Sequence, residues 1–442
     1  MRCVASKFGG SSLADAAQFI KVRDIILQDP ARRFIVVSAP GKRFEGDVKV
    51  TDLLDSCREK AQTGADFTRE LDVVKQRFVD IAGALVPGFE LDGEFDTIRR
   101  VLKAMPYRDY ALSRGEYLCA KLMAAYLGFD FIDPAQYVHF NETGELNEEW
   151  TNDDLACALT DLKGAVIAGF YGSLPNGAIK TFSRGGSDIT GALVARAVNA
   201  DIYENWTDVS GLLAADPRIV DDPRTVEHIS YRELRILSYM GASVLHTDCV
   251  RPVSLCGIPI NIRNTNRPQD AGTLIVSQLP EKREERAVTG VAGRKGLSVV
   301  QVEKSMVSDG AGFTAVLLDI FKSHRVPFEQ CLTGIDTISI VIRGDLFAPA
   351  REEIMRDIET QLKPDTLFVR ENLAMITVVG ENTTRAHAVT VNILSAVAAA
   401  GIRLSTINQG AGNLNLIIGV EEEDYAAAIR AIYGVIKTEN LN

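Results

Sequence analysis

Through its first 280 residues the chain repeats one theme, a short β-rich run followed by a segment whose apolar residues recur every three or four positions. RFIVVSA (33–39), GAVIAGF (164–170) and DIYENWTD (201–208) are such runs. After Ser187, Ile189, Leu193, Val194, Ala197 and Val198 mark one helical face. Strands alternating with helices bury both faces of a sheet, which predicts an α/β layer fold.

The pattern breaks at SQLPEKREERAVTGVAGRKG, a charged, apolar-poor stretch that reads as a linker and places a boundary near residue 285. Two similar units of strand, loop, helix and strand follow, over 297–342 and 373–420. Small βαββ modules of this kind leave edge strands unsatisfied, so the two are expected to pack together and to support a homodimer or higher homo-oligomer. RAVTGVA (286–292), ahead of an expected hairpin at GRKG (293–296), is expected to extend the second module's sheet. Neither module holds a nucleophile beside a base, which favours binding over chemistry.

The 442 residues, 46% of them apolar, suffice for two or three domains. A net charge of −11 without a basic stripe argues against a nucleic-acid partner. No apolar run approaches the ~20 residues of a membrane span, and the N-terminus lacks signal-peptide regions, so a cytoplasmic protein with no membrane partner is expected. The seven cysteines form no Cys-x-x-Cys pair, which predicts buried, reduced thiols and no metal site.

Two strand-to-helix turns carry the chemistry. One runs through Arg184, Gly185, Gly186, Ser187 and Asp188, the other through Lys7, Gly9, Gly10, Ser11 and Ser12. Free backbone N–H groups at a helix start suit an anion, and a guanidinium beside them forms a fork for carboxylate or phosphate. Ser187 or Asp188 could instead simply cap the helix, worth ~1 kcal/mol. Both turns end strands of one sheet, which predicts a shared crevice. Arg114, Gly115 and Glu116 lie at the beginning of a helical stretch (110–128), where Glu116 is either a first-turn dipole partner or a ligand for an ammonium. Thr207, Asp208, Asp216 and Arg218 fall in a loop after a strand. Neither a Gly-x4-Gly-Lys loop nor a strand-linked Gly-x-Gly-x-x-Gly is present.

KFGGSS, SRGE, SRGGSD, WTDVSGLLAADPR, GASVLH (241–246) and AGTLI (271–275), in this order and followed by two ACT-like modules, resemble the aspartate kinases of the amino-acid kinase fold across essentially the whole chain. The resemblance implies an αβα sandwich with a mainly parallel sheet, followed by ferredoxin-like ACT modules at 297–366 and 372–440 behind a catalytic domain at 1–285. It implies transfer of the γ-phosphoryl group of ATP, with Mg²⁺, to the side-chain carboxylate of L-aspartate. By the same resemblance Lys7 would contact the β/γ-phosphates, and Gly9, Gly10 and Ser11 would form the phosphate-side loop. Thr51, Glu116, Arg184 and Ser187 would hold aspartate, while Thr207, Asp208 and Arg218 would lie along the nucleotide. Asp188 would orient Lys7, directly or through Mg²⁺. The chain departs from the family at Leu213, where many members have tyrosine, and at Ser243, where they have lysine.

The modules imply feedback by an amino acid, lysine more than threonine. Ser308, Asp309, Gly310 and Gly312, with Phe313 at the helix start, would take the α-carboxylate, and Glu329 and Asp336 the lysine ammonium. No appended homoserine dehydrogenase domain is expected. The alternative is a non-catalytic nucleotide and amino-acid sensor of the same fold.

Overall fold

The structure, a computed structural model, describes residues 2–183, 185–241, 245, 249–279, 287–305, 312–380, 387–409 and 414–438. The chain falls into two compact units. The first holds Met1–Leu212, Thr225–Ser238 and Ser243–Pro280; the second holds Leu213–Arg224, Tyr239–Ala242 and Glu281–Asn442. Two stretches upstream of residue 285 therefore pack with the second unit.

The first unit runs β1 (Val4–Phe8), α1 (Ala16–Leu27), β2 (Arg32–Val37), α2 (Val50–Gln62), α3 (Thr68–Leu85), α4 (Asp92–Ala104), α5 (Arg108–Leu127), β3 (Asp130–Ile132), α6 (Glu148–Leu159), β4 (Ala165–Ala168), β5 (Tyr171–Ser173), β6 (Ile179–Thr181), α7 (Gly186–Ala197), β7 (Ile202–Thr207), β8 (His228–Ser230), α8 (Tyr231–Tyr239), α9 (Val250–Ser254), β9 (Ile260–Asn264) and β10 (Thr273–Val276). Eight strands form one sheet in the order β3-β4-β2-β1-β7-β9-β10-β8. Its neighbours are parallel except β9 and β10.

All five residues of β1 are buried, as a central strand covered on both faces requires. On one side lies β2, reached through α1; on the other lies β7, reached only after α7. The strand order thus reverses at β1, and the C-terminal ends of β2, β1 and β7 stand side by side, the usual place for a ligand in an open α/β sheet. Phe8, Ile35 and Val37 share a core with Phe19, Leu54, Phe78, Phe95 and Leu118 from the helices. Each such side chain stabilises by about 1.5–3 kcal/mol when fully buried.

A buried carboxylate ties these strands together. Glu204 of β7 accepts Arg32 Nε and Nη2 at 2.7 and 3.0 Å, Trp206 Nε1 at 2.9 Å and Ser6 Oγ at 3.1 Å. The guanidinium groups of Arg32 and Arg263 lie 5.3 and 4.6 Å from the Trp206 ring centroid. Successive strand residues face opposite sides, so Asn205 points away from this network.

The second unit adds β11 (Gly290–Glu303), α10 (Phe313–Ser323), β12 (Phe328–Thr333), β13 (Thr337–Arg343), α11 (Gly344–Phe347), α12 (Arg351–Leu362), β14 (Thr366–Val379), α13 (His387–Ala399), β15 (Thr406–Gln409), β16 (Asn415–Glu421) and α14 (Tyr425–Thr438). One antiparallel sheet runs β12-β13-β11-β14-β16-β15. With α12 and the first half of β14 the first module is βαββαβ; the second is βαββα, completed by the Gly290–Arg294 part of β11, so each is longer than the βαββ read from the sequence.

The two modules share their central strands. Leu297–Glu303 of β11 pairs with β13 and with the first half of β14, whereas Gly290–Arg294 pairs with Met375–Val379. The register shifts near residues 294–299, and Gly296 (φ 72°) and Asn372 (φ 57°) are left-handed there. The expected GRKG hairpin is therefore a local irregularity inside one 14-residue strand. Residues 213–224 pack on this strand, where Val291 N–H donates to Ala214 O at 2.7 Å and Arg224 Nη2 donates to Val288 O at 2.7 Å.

No disulfide joins the described cysteines, and not all are buried as expected, since Cys157 and Cys256 are exposed. Among the described residues no helix is long and apolar enough to cross a membrane.

Candidate active site

The two glycine turns meet. Lys7, the penultimate residue of β1, is 8% exposed, and its ammonium lies 2.6 Å from Asp188 Oδ1. Gly185 caps α7 in the left-handed region (φ 59°), which glycine adopts without steric cost, and no side chain bonds to the cap. Neither Ser187 nor Asp188 is thus the simple helix cap considered above. Asp188 turns towards β1 and β7 instead, and Asn205 Nδ2 of β7 also donates to its Oδ1 at 2.9 Å.

The turn after β1 is held by backbone. Gly9 N–H donates to Trp206 O at 2.9 Å, and Gly41 N–H donates to Gly10 O at 2.8 Å. A Cβ on Gly10 would stand 2.8 Å from Ala39 O, and one on Gly41 2.7 Å from the Gly10 carbonyl carbon, so the approach needs glycine on both sides. Ser11 is half-buried in the 3-10 turn Gly10–Leu13, and Ser12 Oγ shares a 2.7 Å hydrogen bond with Thr265 Oγ1.

Ala39 also packs on α5. A Cβ on Gly115 would come within 2.7 Å of Ala39 Cβ, so Gly115 lets the helix lie against this loop and brings Glu116 to it. Since α5 begins at Arg108, Glu116 sits in mid-helix rather than in a first turn, and the dipole explanation falls away. It is buried, and among the described residues its Oε2 has no hydrogen-bond partner. Burial pushes its pKa up to about 8, against the lowering pull of the Ala39 N–H and of Arg114. Arg114 itself is packed among Tyr110, Tyr117 and Tyr171, its guanidinium 4.6, 4.6 and 5.4 Å from their ring centroids.

Thr51 is the second residue of α2 and half-buried. Ser187 is buried against Gly169, where a Cβ would stand 2.6 Å from Ser187 Oγ. The next residue, Phe170, is left-handed at φ 82°, and its N–H donates to Thr190 Oγ1 at 3.1 Å. Strained non-glycine backbone of this kind, costing about 1–3 kcal/mol, concentrates at functional sites. Thr207 ends β7, with its hydroxyl 3.2 Å from the exposed Asp208 Oδ1.

Arg184, Ser243, Ser308, Asp309 and Gly310 lie outside the described residues. Arg218 belongs to the second unit, exposed and paired to Asp216 at 2.7 Å. Phe313 opens α10, half-buried, with Lys304 Nζ 5.5 Å from its ring centroid. Glu329 is already paired to Arg294 at 2.9 Å, so an incoming ammonium would have to displace a guanidinium. Asp336 is exposed between β12 and β13. No group of three or more His, Cys, Asp or Glu side chains among the described residues converges as a metal site.

The description of the amino acid kinase family matches residues 2–264, and that of the ACT domain matches residues 376–435. Aspartokinase 3 of Bacillus subtilis is 35% identical over 445 residues, spanning 97% of each chain. The chain belongs to the aspartate kinase branch of the amino acid kinase family. A solved aspartate kinase from Clostridium acetobutylicum superimposes with a TM-score of 0.88 at 40% identity, over 99% of this chain and 100% of that one. Escherichia coli aspartokinase III, solved with aspartate and ADP, shares the fold at a TM-score of 0.77 and 24% identity, over 98% and 99% of the two chains. As an aspartate kinase the protein is a nucleotide-dependent phosphotransferase.

Several residues of this aspartate kinase site escaped the sequence reading. Asn205 lies inside a strand, where a polar residue passes for ordinary alternation. Thr265 and Gly41 meet the first turn only through folding, and an Ala-Pro-Gly run ending a strand was the signal available for Gly41.

Proposed function

We propose that the protein transfers the γ-phosphoryl group of ATP to the side-chain carboxylate of L-aspartate, giving 4-phospho-L-aspartate, the first step towards lysine, threonine and methionine. The observation that carries this reading is the pairing of the buried Lys7 with the half-buried Asp188 at 2.6 Å, which joins the two glycine turns at the C-terminal edge of the sheet. Phosphoryl transfer asks mainly for positioning and for charge on the equatorial oxygens. Lys7 supplies that charge to the β/γ-phosphates. Asp188 keeps it aimed, and the loop of Gly9, Gly10 and Ser11 turns the backbone N–H groups of Gly10 and Ser11 towards the phosphates.

Aspartate carries two carboxylates and an ammonium. Glu116, buried and with one oxygen unpaired among the described residues, suits the ammonium, while Arg184, Ser187 and Thr51 take carboxylate oxygens. Thr207 and Asp208 line the nucleotide. Mg²⁺ enters as the ATP complex, bound mainly by phosphate oxygens and water, as suits an ion that keeps much of its hydration. The second unit binds an inhibitory amino acid, lysine before threonine, and pairs two copies through its sheet edges, where Phe328 and Ile407 are 46% and 51% exposed.

The test is acyl-phosphate trapping with hydroxylamine, run with aspartate, glutamate and N-acetylglutamate. Aspartate-dependent hydroxamate that disappears in Lys7→Met supports the reading; a preference for another acceptor, or a Lys7→Met enzyme with normal turnover, overturns it. Activity titrated with lysine, threonine and methionine tests feedback, and no inhibition by any of them removes that part.

A further inference from the structure

Asn205 stands directly across from Lys7 in the β1–β7 ladder, 3% exposed, with its side chain on the same side of the sheet. Its two amide atoms do different work. Oδ1 accepts from Lys7 Nζ at 3.3 Å, while Nδ2 donates to Asp188 Oδ1 at 2.9 Å. An ammonium only donates and a carboxylate only accepts, so the amide has one workable orientation between them. Tyr203, two residues earlier, donates its hydroxyl to Asp188 O at 3.1 Å and fixes the same first turn of α7 from below.

A bare Lys7–Asp188 pair would have a weakness. Phosphate oxygens that draw the ammonium away would leave Asp188 without a donor, and a half-buried carboxylate in that state either follows the lysine or resists its departure. The amide gives Asp188 a neutral donor that stays when Lys7 moves, and gives Lys7 a second acceptor that limits its swing. We propose that Asn205 is a positioning residue for phosphoryl transfer, holding the Lys7 ammonium and the Asp188 carboxylate in the arrangement that meets the γ-phosphate. This rests on the reading of Lys7 and Asp188 as the phosphate-facing pair.

The experiment compares Asn205→Leu and Asn205→Asp in the full chain, each also in an Asp188→Asn background, by steady-state kinetics and, where turnover is slow, by single-turnover hydroxamate formation. Asn205→Leu is expected to lower kcat by roughly 10- to 30-fold, with the KM for aspartate within about twofold of wild type. In the Asp188→Asn background the same change should cost less than about threefold, because the carboxylate it positions is gone. Asn205→Asp, nearly isosteric, should do no better than Asn205→Leu, since a second carboxylate competes with phosphate for Lys7. An unchanged kcat, or equal losses in both backgrounds, overturns the proposal. If Asn205→Leu does not fold, Asn205→Ser takes its place under the same criteria. Lys7→Met separates the two levels. Normal turnover there refutes the site itself, whereas inactive Lys7→Met beside fully active Asn205 variants refutes only the positioning role.

Discussion

The Glu116 carboxyl lies beside the backbone N–H of Ala39, and among the described residues its Oε2 has no hydrogen-bond partner. With its pKa pushed up to about 8, it is largely protonated in the free protein at neutral pH. An ammonium needs it ionised, so binding must release a proton. The KM for aspartate should fall as pH rises from 6.5 towards 8.5 and level off above 8. Glu116→Gln should raise that KM by roughly 100-fold and flatten its pH dependence, which initial rates across pH would reveal.

The same shift has a stability consequence of definite sign. Between the ordinary value of 4.5 and about 8 the native state holds a proton that the unfolded chain has lost, so stability falls as pH rises through that window. Glu116→Gln removes the penalty. Its denaturation midpoint should match wild type near pH 4.5 and exceed it at pH 8.5 by the equivalent of a few kcal/mol, on the order of 1.4 kcal/mol per pKa unit. Saturating aspartate should narrow or reverse that order.

Glu204 is the opposite case. Burial alone would raise its pKa, but the bonds from Arg32 and Trp206 and the nearby Arg263 outweigh burial and hold it below the ordinary value. Its contribution is present above the unfolded carboxylate's pKa and is lost as pH falls through the lower native one. Glu204→Gln leaves Arg32 without its buried counter-charge and should cost about 3–5 kcal/mol in urea unfolding at pH 7.

Gly41→Ala places a methyl 2.7 Å from the Gly10 carbonyl carbon and 2.8 Å from its oxygen, with backbone on both sides unable to yield like a side chain. The expected cost is about 1–3 kcal/mol, with kcat reduced more than the KM for aspartate because the loop displaced is the one facing phosphate. Thermal melts and kinetics on the same preparation would check both.

Much of the first unit was legible because its signals are local. A glycine pair, a cation and a helical pattern after a strand located Lys7 and Asp188 without any structure. Glu116 was found but misplaced, since Arg108–Tyr110 give no strong helix-start signal and the helix begins earlier than its apolar pattern. Asn205, Glu204 and Thr265 were not legible, because each acts only through a partner far off in the chain: Asn205 through Lys7, Glu204 through Arg32, Thr265 through Ser12. Glu329 misled in the other direction. An acidic side chain in a binding module looked available, yet Arg294, on a strand that the sequence broke into a hairpin, already occupies it.

The sharing of β11 and β14 leaves the regulatory half without a clean seam. A fragment that starts at 297 strips the second module of the strand Gly290–Arg294 and bares the N–H and C=O groups along Met375–Val379, a hydrophobic edge ready to recruit another chain. One that stops near 371 keeps the first module's four strands but leaves Gly290–Arg294 unmatched. Whoever cuts this protein into parts must therefore cut ahead of residue 290 and keep everything after it, because the two halves of the repeat are, in their hydrogen bonding, one indivisible sheet.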